Sequence, residues 1–277
     1  MRIRRGWVTG VIMGGMLAIT ACTAPPGGAA SPDGSGPAPI SLPPAGAALD
    51  YQLSDAYTPA DDVGIVVRDR TDPPDPQRYS ICYLNAFQTQ PGELDRWPDR
   101  LVLRGADRET IRDPDWPDEA LVDVRQTDAV AGIVTAWIRS CADAGYDAVE
   151  FDNLDSYTRS DGLVSLDDAT ALAVALVRAA HEAGLAAGQK NVAEHAADLR
   201  RTAGFDFVVA EECGAYDECS AYTDAYGAAV LAIEYTDNLP RPFAALCADP
   251  AQPPTTTLRD RDLTTPDDPG YTFATCS

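Results

Sequence analysis

Lysine occurs once in this chain, at Lys190, and histidine twice, at His181 and His195. Cations of every kind are scarce, with 21 Lys and Arg against 43 Asp and Glu, so the formal net charge is −22. A phosphate-binding surface needs a basic footprint, and nucleic acid is therefore excluded as a partner. A cationic or neutral ligand suits such a chain better. The cysteines form no Cys-x-x-Cys and the histidines are too few for a zinc site, so zinc is not expected. No Gly-x-Gly-x-x-Gly follows an early strand, which leaves nucleotide binding without support. No Gly-x-Ser-x-Gly elbow occurs either. A Ser-His-Asp triad would have to use His181, placed near a helix end where a cation is favoured, or His195, placed in a loop or helix start. The one long apolar run, Trp7 to Ile19, is too short to span a bilayer comfortably.

That run follows Arg2, Arg4 and Arg5 and precedes Thr20-Ala21-Cys22, the order of an export signal. Ile19-Thr20-Ala21-Cys22 also has the form of a lipobox, with Cys22 the lipidated residue, so residues 1–22 read as a lipoprotein signal. Residues 23–48, rich in Ala, Pro, Gly and Ser, cannot bury enough apolar surface to fold and read as a disordered tether. The expected protein is extracellular or held at the cell surface, touching the membrane only through that lipid. Residues 49–277 suffice for one domain with a substantial core, expected to be monomeric. Its six cysteines, Cys82, Cys141, Cys213, Cys219, Cys247 and Cys276, argue for three disulfides. Cys213 with Cys219 is the easiest local pair and Cys247 with Cys276 would pin the tail, but spacing does not decide the connectivity.

Strand patterns fall at 51–53, 63–67, 79–86, 121–124, 147–152, 186–190, 205–211 and 229–235. The clearest helices are 129–144 and 166–183, the second opened by Ser165 as N-cap and stopped by Gly184. Alternation of strand and helix implies parallel pairing, and eight such units predict an α/β fold closed as a single (β/α)8, or TIM, barrel. A doubly wound open sheet is the competing architecture.

Barrel enzymes carry their chemistry at the carboxyl ends of the strands. Polar residues gather at five consecutive predicted ends: Asp123 and Arg125; Asp152, Asn153 and Asp155; Lys190 and Asn191; Glu211 and Glu212; Glu234 and Tyr235. In Gly145 to Asp155, GYDAVEFDNLD, the strand period puts Glu150 and Asp152 on one face. Buried acids are costly unless paired or used, so this segment is the first candidate for a catalytic site. Lys190 falls in phase with the small residues Ala186 and Gly188 expected on the crowded interior, where it would meet Glu150, Asp152 and Glu234. In a chain otherwise supplied with arginine, a lone lysine points to a specific need for an ammonium. A Schiff-base role is opposed by acids that keep it protonated. Paired carboxylates with almost no histidine are the equipment of glycoside hydrolysis.

These residues also carry a resemblance. ICYLNA at Ile81 to Ala86, WPDEALVDVR at Trp116 to Arg125, GYDAVEFDNLD, AHEAGLAAGQKN at Ala180 to Asn191, FDFVVAEECGAYDEC at Phe205 to Cys219 and IEY at Ile233 to Tyr235 resemble the successive blocks of glycoside hydrolase family 114. The blocks run in order over nearly the whole domain, and the family includes endo-α-1,4-polygalactosaminidases. The resemblance implies a (β/α)8 barrel that cleaves α-1,4-linked galactosamine polymers without metal or organic cofactor. It makes Asp152 the catalytic aspartate and nucleophile, and Glu211 the acid/base. Glu150, Asp155, Lys190, Asn191, Glu234 and Tyr235 match positions that line the substrate; Asn153, Asp123 and Tyr83 join them as neighbours at the strand ends. Periodicity disagrees on one point. It sets Phe205, Phe207 and Val209 toward the helices, which turns Glu211 outward and Glu212 inward, so Glu212 stands as the substitute acid. The family often has tryptophan where Ala120 or Leu121 stands, and a Trp-Glu pair in place of Phe87 and Gln88.

A partly deacetylated galactosamine polymer is cationic and would be drawn to an acidic cleft. The rival reading is a non-catalytic carbohydrate-binding barrel on the cell surface, which would keep Tyr83, Tyr157 and Tyr235 for stacking without needing both acids.

Overall fold

The computed structural model describes residues 40–276. The expected signal sequence, Cys22 as the expected lipidation site and most of the expected tether lie outside them. Nine strands form one sheet in chain order: β1 Ala48–Gln52, β2 Val63–Asp69, β3 Tyr79–Asn85, β4 Ala148–Asp152, β5 Ala186–Lys190, β6 Phe207–Glu211, β7 Val230–Tyr235, β8 Thr255–Arg259 and β9 Phe273–Thr275. The first eight are parallel and curl into a barrel, and β9 pairs antiparallel with β8. Helices α1 Thr127–Ala144, α2 Leu166–Glu182, α3 Ala196–Ala203, α4 Cys219–Tyr226 and α5 Phe243–Cys247 follow β3 to β7 in turn. The predicted barrel is thus present, with its first two connections short and helix-free. Among the described residues no helix is long and apolar enough to cross a membrane.

Two predicted elements need correction. Residues 121–124 are not a barrel strand. They make antiparallel bridges, Gln88 with Leu121 and Val102 with Val122, inside a long excursion between β3 and α1. A short run such as Leu121-Val122 satisfies either setting, because the strand period does not say which partner a strand takes. The eighth barrel strand is instead Thr255–Arg259, a threonine run with the β-propensity of branched side chains, but masked in sequence by Pro253 and Pro254. The tether also ends earlier than expected. Pro43 is buried, Ile40 packs against the barrel interior and Ser41 accepts a hydrogen bond from the Tyr79 hydroxyl at 2.7 Å.

Two apolar layers hold the fold. Leu49, Ile65, Val67, Ile81, Ala148, Ala186, Phe207, Val209, Leu231 and Ile233 fill the barrel, while a larger layer joins the strands to α1 and α2. Phe207 therefore points inward, contrary to the sequence reading. The reason is Gly188 on the neighbouring strand: a Cβ there would lie 2.5 Å from the Phe207 ring, so only glycine leaves room for that ring inside. Val209 and Glu211 follow Phe207 in phase, which turns Glu211, not Glu212, to the interior. The helices behave as read. Ser165 and Asp168 form a capping box at the start of α2, and Gly145 ends α1 with φ of +97°.

Three disulfides join Cys82 to Cys141, Cys213 to Cys219 and Cys247 to Cys276. The first ties β3 to α1, and the third fastens β9 to α5. Arg259, fully buried on β8, reaches back to β1. It pairs with Asp50 at 3.2 Å and donates to the Tyr51 carbonyl, and its other nitrogens donate to Thr272 and Thr264. Arg259→Ala would leave the carboxylate of Asp50, 1% exposed, with only the neutral donors Gln52 and Tyr57. Removing one partner of a buried ion pair costs about 3–5 kcal/mol. Urea unfolding with the disulfides intact should show a loss of that size; a loss under about 1 kcal/mol would mean Arg259 is not needed for closure.

Candidate active site

The carboxyl ends of the strands open into a cleft of about 660 Å³. Its lining includes Tyr83, Asp152, Asn153, Asp155, Lys190, Asn191, Glu211, Glu212 and Tyr235 among the sequence-predicted residues. Lys190 stands at its floor, 3% exposed. Its ammonium lies 3.1 Å from Glu150 Oε1, 3.4 Å from Asp152 Oδ1 and 3.3 Å from Glu211 Oε2. Two carboxylates on strands β4 and β6 thus share one cation contributed by the strand between them. Their cation-facing oxygens can be separated by no more than the 3.4 and 3.3 Å legs laid end to end.

Each of the two outer carboxylates is fixed in a matching way. Asp152 accepts from the Tyr83 hydroxyl at 2.6 Å and from the backbone N–H of Asn153 at 2.7 Å. Glu211 accepts from the Tyr235 hydroxyl at 2.5 Å and from Asn191 Nδ2 at 3.1 Å, while its own N–H donates to Asn191 Oδ1 at 2.8 Å. The residue after each of β4, β5 and β6, Asn153, Asn191 and Glu212, has positive φ, of 64°, 50° and 58°. Such backbone is costly for non-glycine residues and persists where the surroundings hold it, as at sites that must keep side chains in place.

Beneath the cleft, Glu150 is wholly buried and touches no solvent. It accepts from Tyr51 at 2.8 Å, and Lys190 donates to the same phenol at 3.1 Å. Burial pushes the Glu150 carboxyl up to about 7, against the pull of the adjacent ammonium. Burial alone would lower Lys190, but Asp152, Glu211, Tyr51 and Glu150 outweigh it and hold the ammonium well above the ordinary lysine range. Burial and the adjoining carboxylates also raise Tyr83 and Tyr235, keeping both phenols as donors.

Not every predicted residue reaches the cleft. Glu150 acts only through Lys190 and cannot touch a ligand. Glu234 points to the outside of the barrel, where Oε1 accepts from the Gly214 N–H at 2.7 Å; the inward residues of β7 are Leu231, Ile233 and Tyr235. It is therefore not a neighbour of Lys190. Asp123, carried away with the misassigned strand, is bound to Arg125 at 2.6 Å and lies off the cleft. Glu212 lines the rim, but Arg261 grips both its oxygens at 3.0 and 2.7 Å and Asn238 donates to one of them, so it has no free oxygen for proton transfer. Asp155 is paired to Arg159 at 2.9 Å. His181 is paired with Asp206 at the end of α2, away from the cleft. The sequence reading missed six cleft residues: Asp69 at the end of β2, Asp113, Trp116 and Glu119 between β3 and α1, Arg159 after β4 and Arg261 after β8. Only the Trp116 to Arg125 block hinted at two of them. Cys213, Cys219 and Glu234 cluster as potential ligands, but the two sulfurs are bonded to each other and are not thiolates.

The sequence model of glycoside-hydrolase family GH114 matches residues 30–277. Among solved structures, Aspergillus fumigatus Ega3 in complex with galactosamine superimposes with a TM-score of 0.68 at 22% identity, over 82% of this chain and 96% of that one. The glycoside hydrolase domain of PelA from Pseudomonas aeruginosa superimposes at 0.58 and 16% identity, over 79% and 96%. Both share the barrel. No curated protein matches this sequence.

Proposed function

Because the chain belongs to glycoside-hydrolase family GH114, and is thereby a glycoside hydrolase, we propose that it cleaves α-1,4-linked galactosamine polymers internally and with retention of configuration. The observation that carries this reading is the single ammonium of Lys190 shared by Asp152 and Glu211. Two carboxylates that meet at one ammonium stand close together, which supports the short spacing, ~5–5.5 Å, of a retaining pair. Asp152, held by Tyr83 and Asn153, attacks the anomeric carbon while Glu211 protonates the departing glycosidic oxygen. Glu211 then takes a proton from water, which attacks the same carbon and releases Asp152. Lys190 offsets the charge of Asp152 before attack and of Glu211 after it has given its proton, and, being itself protonated, donates rather than attacks.

The galactosamine bound to Ega3 and the acidity of the cleft together support an amino-sugar substrate. A surface of net charge −22 steers a polycation. The test is the product profile from galactosamine and glucosamine polymers, acetylated and deacetylated. Internal cleavage of the deacetylated α-1,4-galactosamine chain is the expected result, and a preference for fully acetylated chains would overturn it. KM on the cationic polymer should rise several-fold as salt takes the screening length from about 10 Å to about 3 Å. Salt-independent kinetics would remove the electrostatic part of the reading. The lipobox supports action at the cell surface: Cys22→Ser should release the protein from membranes, and unchanged fractionation would contradict a lipid anchor.

A further inference from the structure

The excursion between β3 and α1 brings one turn, Asp113 to Glu119, to the wall of the cleft. The turn is rigid. Asp113 Oδ1 accepts from the N–H groups of Asp115 and Trp116 at 2.9 and 3.3 Å, and Glu119 N–H donates to the Trp116 carbonyl at 2.8 Å. Pro114 and Pro117 fix two of its backbone angles. Asp113 Oδ2 is anchored by Gln88 at 2.9 Å and by Arg159 at 2.6 Å.

This turn offers two unlike groups to one cavity. Trp116 is 53% exposed, a large apolar ring left uncovered on the cleft wall. Glu119 is the opposite case, a carboxyl only 9% exposed. Its Oε2 accepts from Asn85 at 2.9 Å, and among the described residues no cation pairs with it. Arg159, a guanidinium that pulls on it electrostatically, is committed to Asp113, Asp155 and Asn153. A buried carboxylate without a counter-ion is costly, and a ligand cation relieves that cost. We propose that this turn is an amino-sugar subsite, in which Glu119 takes the ammonium of the substrate and Trp116 carries the apolar face of a pyranose ring. The inference rests on the amino-sugar reading above and names the residues that would enforce it.

The electrostatics agree. Burial, with Asp152 on β4 and Asp113 on the same turn, pushes Glu119 up to about 7, opposed by Asn85 and Arg159. An ammonium bound there favours the ionised form, so binding should strengthen as pH rises through that value. Loss of the substrate's own positive charge opposes this at higher pH.

Glu119→Gln keeps an oxygen for Asn85 and removes the charge, so the fold should persist with an unchanged Tm. On deacetylated galactosamine oligomers it should raise KM about tenfold while lowering kcat far less, and it should abolish the acid limb of 1/KM near pH 7. Trp116→Ala should raise KM by a similar factor, with Trp116→Phe restoring most of it. A Glu119→Gln enzyme with unchanged KM, with the loss confined to kcat, or with the acid limb intact, would overturn the subsite. Calorimetric titration of the same oligomers separates the two readings. Absence of turnover by the wild type strikes the substrate assignment, whereas equal Kd for wild type and Glu119→Gln strikes the subsite.

Discussion

Asp152→Asn should lower kcat on a deacetylated α-1,4-galactosamine polymer by more than about 10⁴-fold, because an amide oxygen cannot form and release the glycosyl ester that splits the reaction into two steps. KM should move far less, since Asp155, Asn191, Glu119 and the rest of the cleft wall are untouched. The replacement is nearly isosteric, and unfolding in urea would confirm an intact barrel. Its amide must turn either N–H toward the Tyr83 hydroxyl or the Asn153 N–H, both donors to Asp152, so some local adjustment is expected. A non-catalytic carbohydrate-binding barrel predicts no turnover to lose. A loss of only about tenfold would place the nucleophile elsewhere.

Glu211→Gln should behave differently in kind. Without a proton to give, the enzyme should lose about 10²–10⁴-fold on the polymer, whose leaving group needs protonation. On a galactosaminide with a nitrophenol leaving group the first step needs no acid and should proceed at nearly the original rate. The second step, which needs Glu211 to deprotonate water, should then limit turnover. Azide, itself a competent nucleophile, should restore turnover and yield a glycosyl azide of retained configuration. Asn191 can still donate to the amide oxygen, while the new NH2 would face the Tyr235 hydroxyl, which must turn from donor to acceptor. Equal losses on polymer and activated substrate, with no azide effect, would remove Glu211 from the acid/base role.

Much of this arrangement is written locally. The alternation in Ala148 to Asp152 and the small residues in phase with Lys190 place three of the four charged groups of the floor on the interior. The Ser165 cap and the glycines after α1 and α2 mark helix ends by backbone chemistry that needs no tertiary partner. What failed was information held between strands. The inward direction of Glu211 depends on Gly188 of β5 giving space to Phe207, a fact invisible within β6. The same holds for Glu234, whose strand pattern fits either face until Gly214 supplies its N–H. Leu121 to Val124 and Thr255 to Arg259 exchanged roles because an apolar run reads as a strand more readily than a polar threonine run. Glu119 and Trp116 lie on a loop, where no periodicity reports direction.

The account turns on Asp152 forming a covalent bond to the sugar while Glu211 manages the proton. The most direct measurement is reaction of the enzyme with a 5-fluoro-galactosaminyl fluoride, followed by proteolysis and mass spectrometry. The predicted result is one glycosyl adduct, on the peptide that carries Asp152, which decays as activity returns. A label on another carboxylate, or no label from an enzyme that hydrolyses its polymer with inversion, would contradict it.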